Sequence, residues 1–369
     1  MGGTRERKSN IEVLRILAML GVIVLHYNHS DIGGGFAHAQ GGQLLLLYAT
    51  ESLCIAAVNL YVLISGYFLC TSNERNLLKP LMMVAQVVLF GALRYGFHVL
   101  MGTLPFHPKL LLEYMLPINY FVILYIALYW VSPFLNMMLQ KARENGVENR
   151  LVGIGLLVFS VYPTLMDMLQ EAAGRTFPGI SSIGMHGSQS GYTIVNFALM
   201  YLIGAWLREK ELTDRHRKWA AGAIVGGTVL LTAWCAVGKY LLKSSLAVWH
   251  YCNPLVILLA VSLFVFFAGK DWQSRWVNRL AKGSFSVFLL HTVCLDYIHI
   301  PWAVTQSVPV LLGHQLVSAA GIYLICWAVG AVYAAAEVRL WGALSKKIPG
   351  LTREWIRSKE TEGVDHGSL

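Results

Sequence analysis

The sequence predicts an all-α fold, a polytopic membrane bundle of about ten transmembrane helices with both termini cytoplasmic. Three observations carry that expectation. The 369 residues are 56% hydrophobic and only 13% charged, against a charged share of about 25% in soluble domains, and the mean hydropathy is +0.54. Too little polar surface exists to cover a water-soluble core. The apolar residues gather into windows of about twenty, the length that crosses hydrocarbon. Between the windows, connections rich and poor in lysine and arginine alternate, as they do when charge orients helices in a bilayer.

Taken in order, the first window is residues 11–29. Glu12 and Arg15 interrupt it and no A-x-A-like site follows, so it reads as a retained helix and not a removed signal peptide. The second and third, 44–70 and 79–101, are joined by a short polar segment containing Arg75. The rest are 118–140, 150–170, 192–207, 219–241, 249–269, 283–300 and 314–344. The second and tenth are long, so parts of them belong to tilted or interfacial ends. No internal repeat interrupts the series. Residues 1–344 therefore read as one transmembrane domain and 345–369 as a basic cytoplasmic tail with a disordered end.

Orientation follows from charge. With the N-terminus in the cytoplasm, the cytoplasmic segments collect 23 lysines and arginines and the outer connections only 4, namely Lys109, Arg175, Lys239 and Lys243. This is a strong positive-inside asymmetry. It also accounts for the net charge of +9 without any nucleic-acid partner; the lipid bilayer is the partner the composition demands. The six cysteines are scattered singly through apolar segments with no C-x-x-C spacing, which suits small core residues. No H-E-x-x-H, G-x-S-x-G, Walker A or G-x-G-x-x-G pattern occurs. His26 and His29 lack an evident third ligand, so no metal site is expected.

Two ionisable residues inside the first window are the strongest chemical signal. Arg15 and His26 are eleven residues apart, about three helical turns, so they project within about 20° of each other and roughly 16 Å apart along the axis. A charge in hydrocarbon costs at least about 2.5–3.5 kcal/mol, which marks such residues as functional by default. His26 suits a general base, since imidazole titrates near neutrality; the plainer reading is a histidine bonded to a neighbouring helix. Arg15 must pair with an anion, either Glu12 one turn earlier or a cytosolic phosphate. Arg75 and Lys79 stand at the same border, and three cations there would suit a nucleotide's phosphates, although an inside loop carries two in any case. Asn59 and Gly66 share a face of the second window, and Ser65–Gly66 permits close helix approach. Further intramembrane polar residues are Arg94, Asp167, His291, Asp296 and Glu337. His291 lies about 13 Å into its helix from Lys282. Asp296 falls at the level of His26, where a carboxylate could orient an imidazole.

These segments resemble a known family. NIEVLRILAMLGVIVLHY is similar to the opening of the acyltransferase-3 family of integral membrane acyltransferases, an acidic-x-L-R element with a histidine eleven residues after the arginine. VNLYVLISGYFL resembles its second-helix motif, NYFVILYIALYWVSPFLN its fourth helix, SGYTIVNFALMYLIGAWLR its sixth and KGSFSVFLLH a late S-F-x-V-Y-L-x-H element. The matches run in order along nearly the whole chain. The resemblance implies that His26 is catalytic and Arg15 essential, with Glu12, Asn59, Ser65, Gly66 and His291 at further motif positions. Tyr120 departs from the family's common tryptophan, and only Arg75 and Lys79 represent, loosely, the arginines that follow the S-G-aromatic element. The implied activity is transfer of an acyl group, most simply acetyl, from cytosolic acyl-CoA to a hydroxyl of a cell-envelope glycan or lipid-linked saccharide. Acyl-CoA is then a donor substrate, and no permanently bound cofactor is implied. Many members carry a soluble domain after the membrane part; this chain reads as a membrane-only version. The rival readings are a transporter and a non-catalytic sensor or uptake module using the same polar residues.

Overall fold

A computed structural model of the chain describes residues 8–242, 246–269 and 272–345. Of the basic tail expected at 345–369, Ser345 ends the last helix and the rest lies outside the described residues. The main helices are α1 (Ser9–Asn28), α2 (Gly41–Cys54), α3 (Ala57–Leu69), α4 (Leu78–Leu100), α5 (Tyr120–Glu144), α6 (Glu148–Ala173), α7 (Ile194–Leu207), α8 (Asp214–Leu242), α9 (Pro254–Ala268), α10 (Ser284–Leu295) and α11 (Val308–Ser345). The architecture is all-α. Among the described residues, eight helical stretches are long and apolar enough to cross a membrane, with α2 and α3 counting as one stretch broken at Ile55–Ala56. The chain is a multi-pass membrane protein. The shorter apolar helices α7 and α10 fall in the sixth and ninth expected windows.

Helix α1 is the axis of the bundle. It touches α2, α3, α9, α10 and α11, and 15 of its 20 residues are buried. A helix that is apolar all round belongs in the interior. Its first turn is pinned by Ser9, whose Oγ donates to Asn278 Oδ1 at 2.8 Å, and by Asn10, whose Nδ2 donates to the Phe267 carbonyl at 3.0 Å. Its last turn is closed by Gly33, whose N–H reaches the His26 carbonyl at 2.9 Å. A Cβ on Gly33 would strike the Tyr27 carbonyl oxygen, and Gly34 follows at φ +81°, so this cap requires glycine. Outer helices such as α4, α5 and α8 present Leu81, Leu93, Phe134 and Val229 outward, the surface a bilayer covers.

Two helices meet almost backbone to backbone. Gly66 of α3 faces the Tyr201 backbone of α7, and Gly204 of α7 faces the Leu63 carbonyl of α3. This is the small-residue packing that membrane helices use where no hydrophobic effect draws them together. Asn59, one face-repeat before Gly66, donates to the Tyr251 carbonyl at 2.8 Å and accepts from Asn196 Nδ2 at 3.0 Å. Ser65 bonds back to the Tyr61 carbonyl at 2.8 Å. Gly66→Ala should therefore lower the thermal midpoint of the purified protein, with an overpacking cost of about 1–3 kcal/mol. Gly96→Ala is the control, because nothing lies within 4 Å of its Cβ position. Equal melting of the two variants would show that the α3 and α7 backbones do not approach this closely at Gly66.

Candidate active site

One stripe of α1 carries the site. Residues 15, 19, 22 and 26 follow the i, i+4, i+7, i+11 spacing of a single helix face, and α10 packs along it. At the C-terminal end of the stripe His26 meets His291 of α10. The rings are edge to face with centroids 4.7 Å apart, and His26 Nδ1 lies 3.2 Å from His291 Nε2.

The neighbours of the two rings dictate where their protons sit. His291 Nδ1 is 2.8 Å from the Phe288 carbonyl and 3.1 Å from the Val287 carbonyl. Carbonyls only accept, so in a neutral ring Nδ1 holds the hydrogen and Nε2 is a lone pair. That lone pair faces His26 Nδ1, which also lies 2.9 Å from the Val22 carbonyl. With acceptors on both sides, His26 Nδ1 carries the second hydrogen. Its Nε2 is left as a lone pair, and it has no hydrogen-bond partner among the described residues. An imidazole fixed in this tautomer is ready to take a proton at one defined atom.

Between the two ends of the stripe runs a narrow apolar cleft. Met19 and Val22 of α1 form one wall, with Tyr61 of α3, Phe121 of α5 and Phe285 and Phe288 of α10 around them. It is small, with an open volume of about 20 Å³, and it lies beside the two turns of α1 between Arg15 and His26, neither of which lines it. The Tyr61 hydroxyl donates to the Arg15 carbonyl at 2.8 Å, which fixes this wall to the arginine turn.

Arg15 itself is paired. Its Nη1 lies 2.7 Å from Glu12 Oε1, and the residues are 1% and 2% exposed, so the local carboxylate that the spacing allowed is its partner in this structure. The pair does not exhaust the guanidinium. Arg15 Nε and Nη2 are buried with no hydrogen-bond partner among the described residues, an expensive condition that an incoming acceptor would relieve. Arg15 and Arg208 both approach the Phe68 ring, at 5.6 and 6.0 Å, and Arg208 also lies over Tyr67 at 4.8 Å. Arg208 ends α7, and in the sequence it had the look of one more positive-inside loop charge.

Arg75 has a structural job that the sequence did not suggest. Pro133 lies inside α5 and has no N–H to give the Tyr129 carbonyl one turn earlier. Arg75 Nε takes that carbonyl at 3.0 Å and shares Ser132 Oγ at 2.9 Å, while Nη2 reaches Ser132 Oγ at 2.6 Å. Its Nη1 holds the Ser72 and Glu74 carbonyls, both at 2.8 Å. Most of its donors are thus spent on clamping the α3–α4 connection to α5. Lys79 lies 5.4 Å over the Tyr129 ring beside it, so both cations stay at this end of the bundle.

The remaining expected residues separate into two sets. Asp296 meets His98 Nε2 at 4.0 Å, and the side chain that reaches His26 is His291, at 3.2 Å. Asn59, Ser65 and Gly66 hold the α3–α7 seam. Asn28 continues the polar series of α1 in sequence but not in space, because two residues turn a helix by about 200°. It faces Glu51 Oε2 at 2.9 Å and accepts from Gln315 Nε2 at 2.7 Å. Glu51 escaped sequence reasoning, though a carboxylate inside an apolar window was signal enough. A second polar cluster, also unforeseen, links Asp167 to His250 Nδ1 at 2.7 Å and to the Ser188 hydroxyl. Serine and aspartate meet the same ring nitrogen there, so it is not a nucleophile–base–acid relay.

No curated protein and no solved structure matches the chain. The sequence model of a family described as an acyltransferase domain does match, over residues 8–334. That span takes in Arg15, His26, the cleft and His291, and the chain belongs to the acyltransferase-3 family of membrane acyltransferases.

Proposed function

We propose that this protein is an O-acyltransferase that moves an acyl group, most simply acetyl, from cytosolic acyl-CoA to a hydroxyl of a cell-envelope glycan or lipid-linked saccharide. Ten spans with both termini cytoplasmic put the Arg15 end of the stripe at the donor face and the imidazole pair toward the acceptor face. The observation that carries the reading is the His26–His291 pair, whose partners leave a lone pair on His26 Nε2. That atom takes the proton of the acceptor hydroxyl as its oxygen attacks the thioester carbonyl. The tetrahedral adduct collapses with rupture of the C–S bond, the acceptor keeps the acyl group as an ester, and the CoA sulfur leaves with the proton held by His26. The thioester arm reaches the imidazole by widening the small apolar cleft beside Met19 and Val22, which lie between Arg15 and His26 along α1.

Arg15 serves the donor through its two unpartnered nitrogens. Arg15→Lys keeps the charge but loses the planar fork, so it should raise the KM for acetyl-CoA about tenfold, the worth of one charged hydrogen bond, with a smaller change in kcat. If Arg15→Lys and Glu12→Gln both fail to accumulate in the membrane, the arginine belongs to a structural ion pair alone.

The activity is tested with purified protein in nanodiscs given acetyl-CoA. An acyltransferase releases free CoA thiol, faster when envelope glycan is added. A transporter or an uptake module releases none, and that outcome removes the proposal.

A further inference from the structure

Arg94 is an arginine in the C-terminal half of the membrane span α4, six residues before its end, with no acidic partner among the described residues. No hydrogen bond or ion pair of Arg94 is seen among the described residues, and its Nε is buried without a partner. Only the Tyr114 ring accompanies it, 5.8 Å from the guanidinium carbon. Tyr114 is held there by design of the chain: the short helix Pro108–Met115 folds back on α4 so closely that a Cβ on Gly91 would strike the Tyr114 carbonyl. The Tyr95 hydroxyl ties the same connection down through the Pro105 carbonyl at 2.9 Å.

The register of α4 against α10 gives the depth of Arg94. Gln86 meets Ser286 at 3.0 Å and His98 meets Asp296 at 4.0 Å, so the helices run parallel. Interpolating between those contacts sets Arg94 within one turn of His291 and slightly beyond it, away from the Arg15 end. Arg94 is also near enough to His291 for the two to interact electrostatically. An uncompensated intramembrane cation is costly and marks a ligand path, and a planar guanidinium beside an aromatic ring is a fork for phosphate or carboxylate.

We propose that Arg94 is the anion-binding subsite for the acceptor, and that the acceptor is therefore an acidic saccharide, carrying a phosphate or a carboxylate close to the hydroxyl that is acylated. This rests on the acyltransferase reading for the word acceptor, but the binding itself requires no acyl transfer. Arg94 then holds the anionic group while the neighbouring hydroxyl lies at His26 Nε2.

Binding is measured on the full chain in nanodiscs with three probes: a polyprenyl-phosphate-linked sugar, a glucuronate-containing oligosaccharide and a neutral oligosaccharide of the same size. The wild type should bind one acidic probe about tenfold or more tightly than the neutral one, and the preference should weaken as salt rises. The phosphate probe winning identifies a lipid-linked acceptor; the carboxylate probe winning identifies an acidic glycan. Arg94→Gln should erase the preference and Arg94→Lys should keep most of it. A wild type that does not distinguish acidic from neutral probes overturns the proposal even if both variants misfold. So does a preference that survives in Arg94→Gln. Anion binding without acetyl transfer would leave Arg94 its role and sink the acyltransferase reading instead.

Discussion

His26→Gln is expected to lower kcat for acyl transfer by about 10²–10⁴-fold, the usual worth of a general base, in a protein that still folds and inserts. Glutamine is the sharper replacement because it can hydrogen-bond from the same place but cannot take a proton. The size of the effect follows from the geometry. His26 Nδ1 is engaged by the Val22 carbonyl and by His291, so the only atom left for chemistry is Nε2. The measurement is CoA thiol release at saturating donor, with membrane content and melting temperature as controls. A rate within about threefold of wild type, far short of the general-base range, would reduce His26 to a packing residue and move the search to His291.

The second large effect is expected at His291, and its form differs. In the proposed mechanism His291 is a positioning residue: it accepts the Nδ1 hydrogen of His26, 3.2 Å away, and so holds that ring in one tautomer. His291→Phe fills similar space and accepts nothing, so kcat should fall about 10–100-fold, as when the partner that orients a histidine is removed, with KM for acyl-CoA nearly unchanged. His291→Gln supplies a carbonyl oxygen in place of Nε2 and should recover most of the loss. Equal damage from Phe and Gln would mean that the imidazole itself reacts. Wild-type activity in His291→Phe would mean that the contact is incidental.

What could be seen in the sequence was what helical periodicity encodes. Arg15 and His26 share a face because eleven residues make three turns, and the structure has them on one stripe with a cleft between them. The apolar windows became helices for the same local reason. Contacts between distant helices were not legible, because periodicity says nothing of register between segments far apart in the chain. The sequence put Asp296 at the level of His26 and His291 deeper in its helix; in the structure Asp296 meets His98 and it is His291 that meets His26. Arg75 was read as a donor-binding or inside-loop cation, and its clamp on α5 was not legible because the proline that freed the Tyr129 carbonyl lies 58 residues away in sequence, at Pro133. Arg94 was visible as an intramembrane charge, but that no counter-ion meets it among the described residues is a property of the assembled bundle.

Sidedness puts the central claim to its most direct test. In sealed proteoliposomes of uniform orientation, acetyl-CoA labelled in the acetyl group is supplied to the face bearing the N-terminus, and envelope glycan to the opposite face. The predicted result is free CoA on the first face and labelled ester on the second, with both signals lost in His26→Gln. Labelled acetyl-CoA crossing intact, or ester formed only on the donor face, would contradict a transfer that runs from the arginine end of α1 to its histidine.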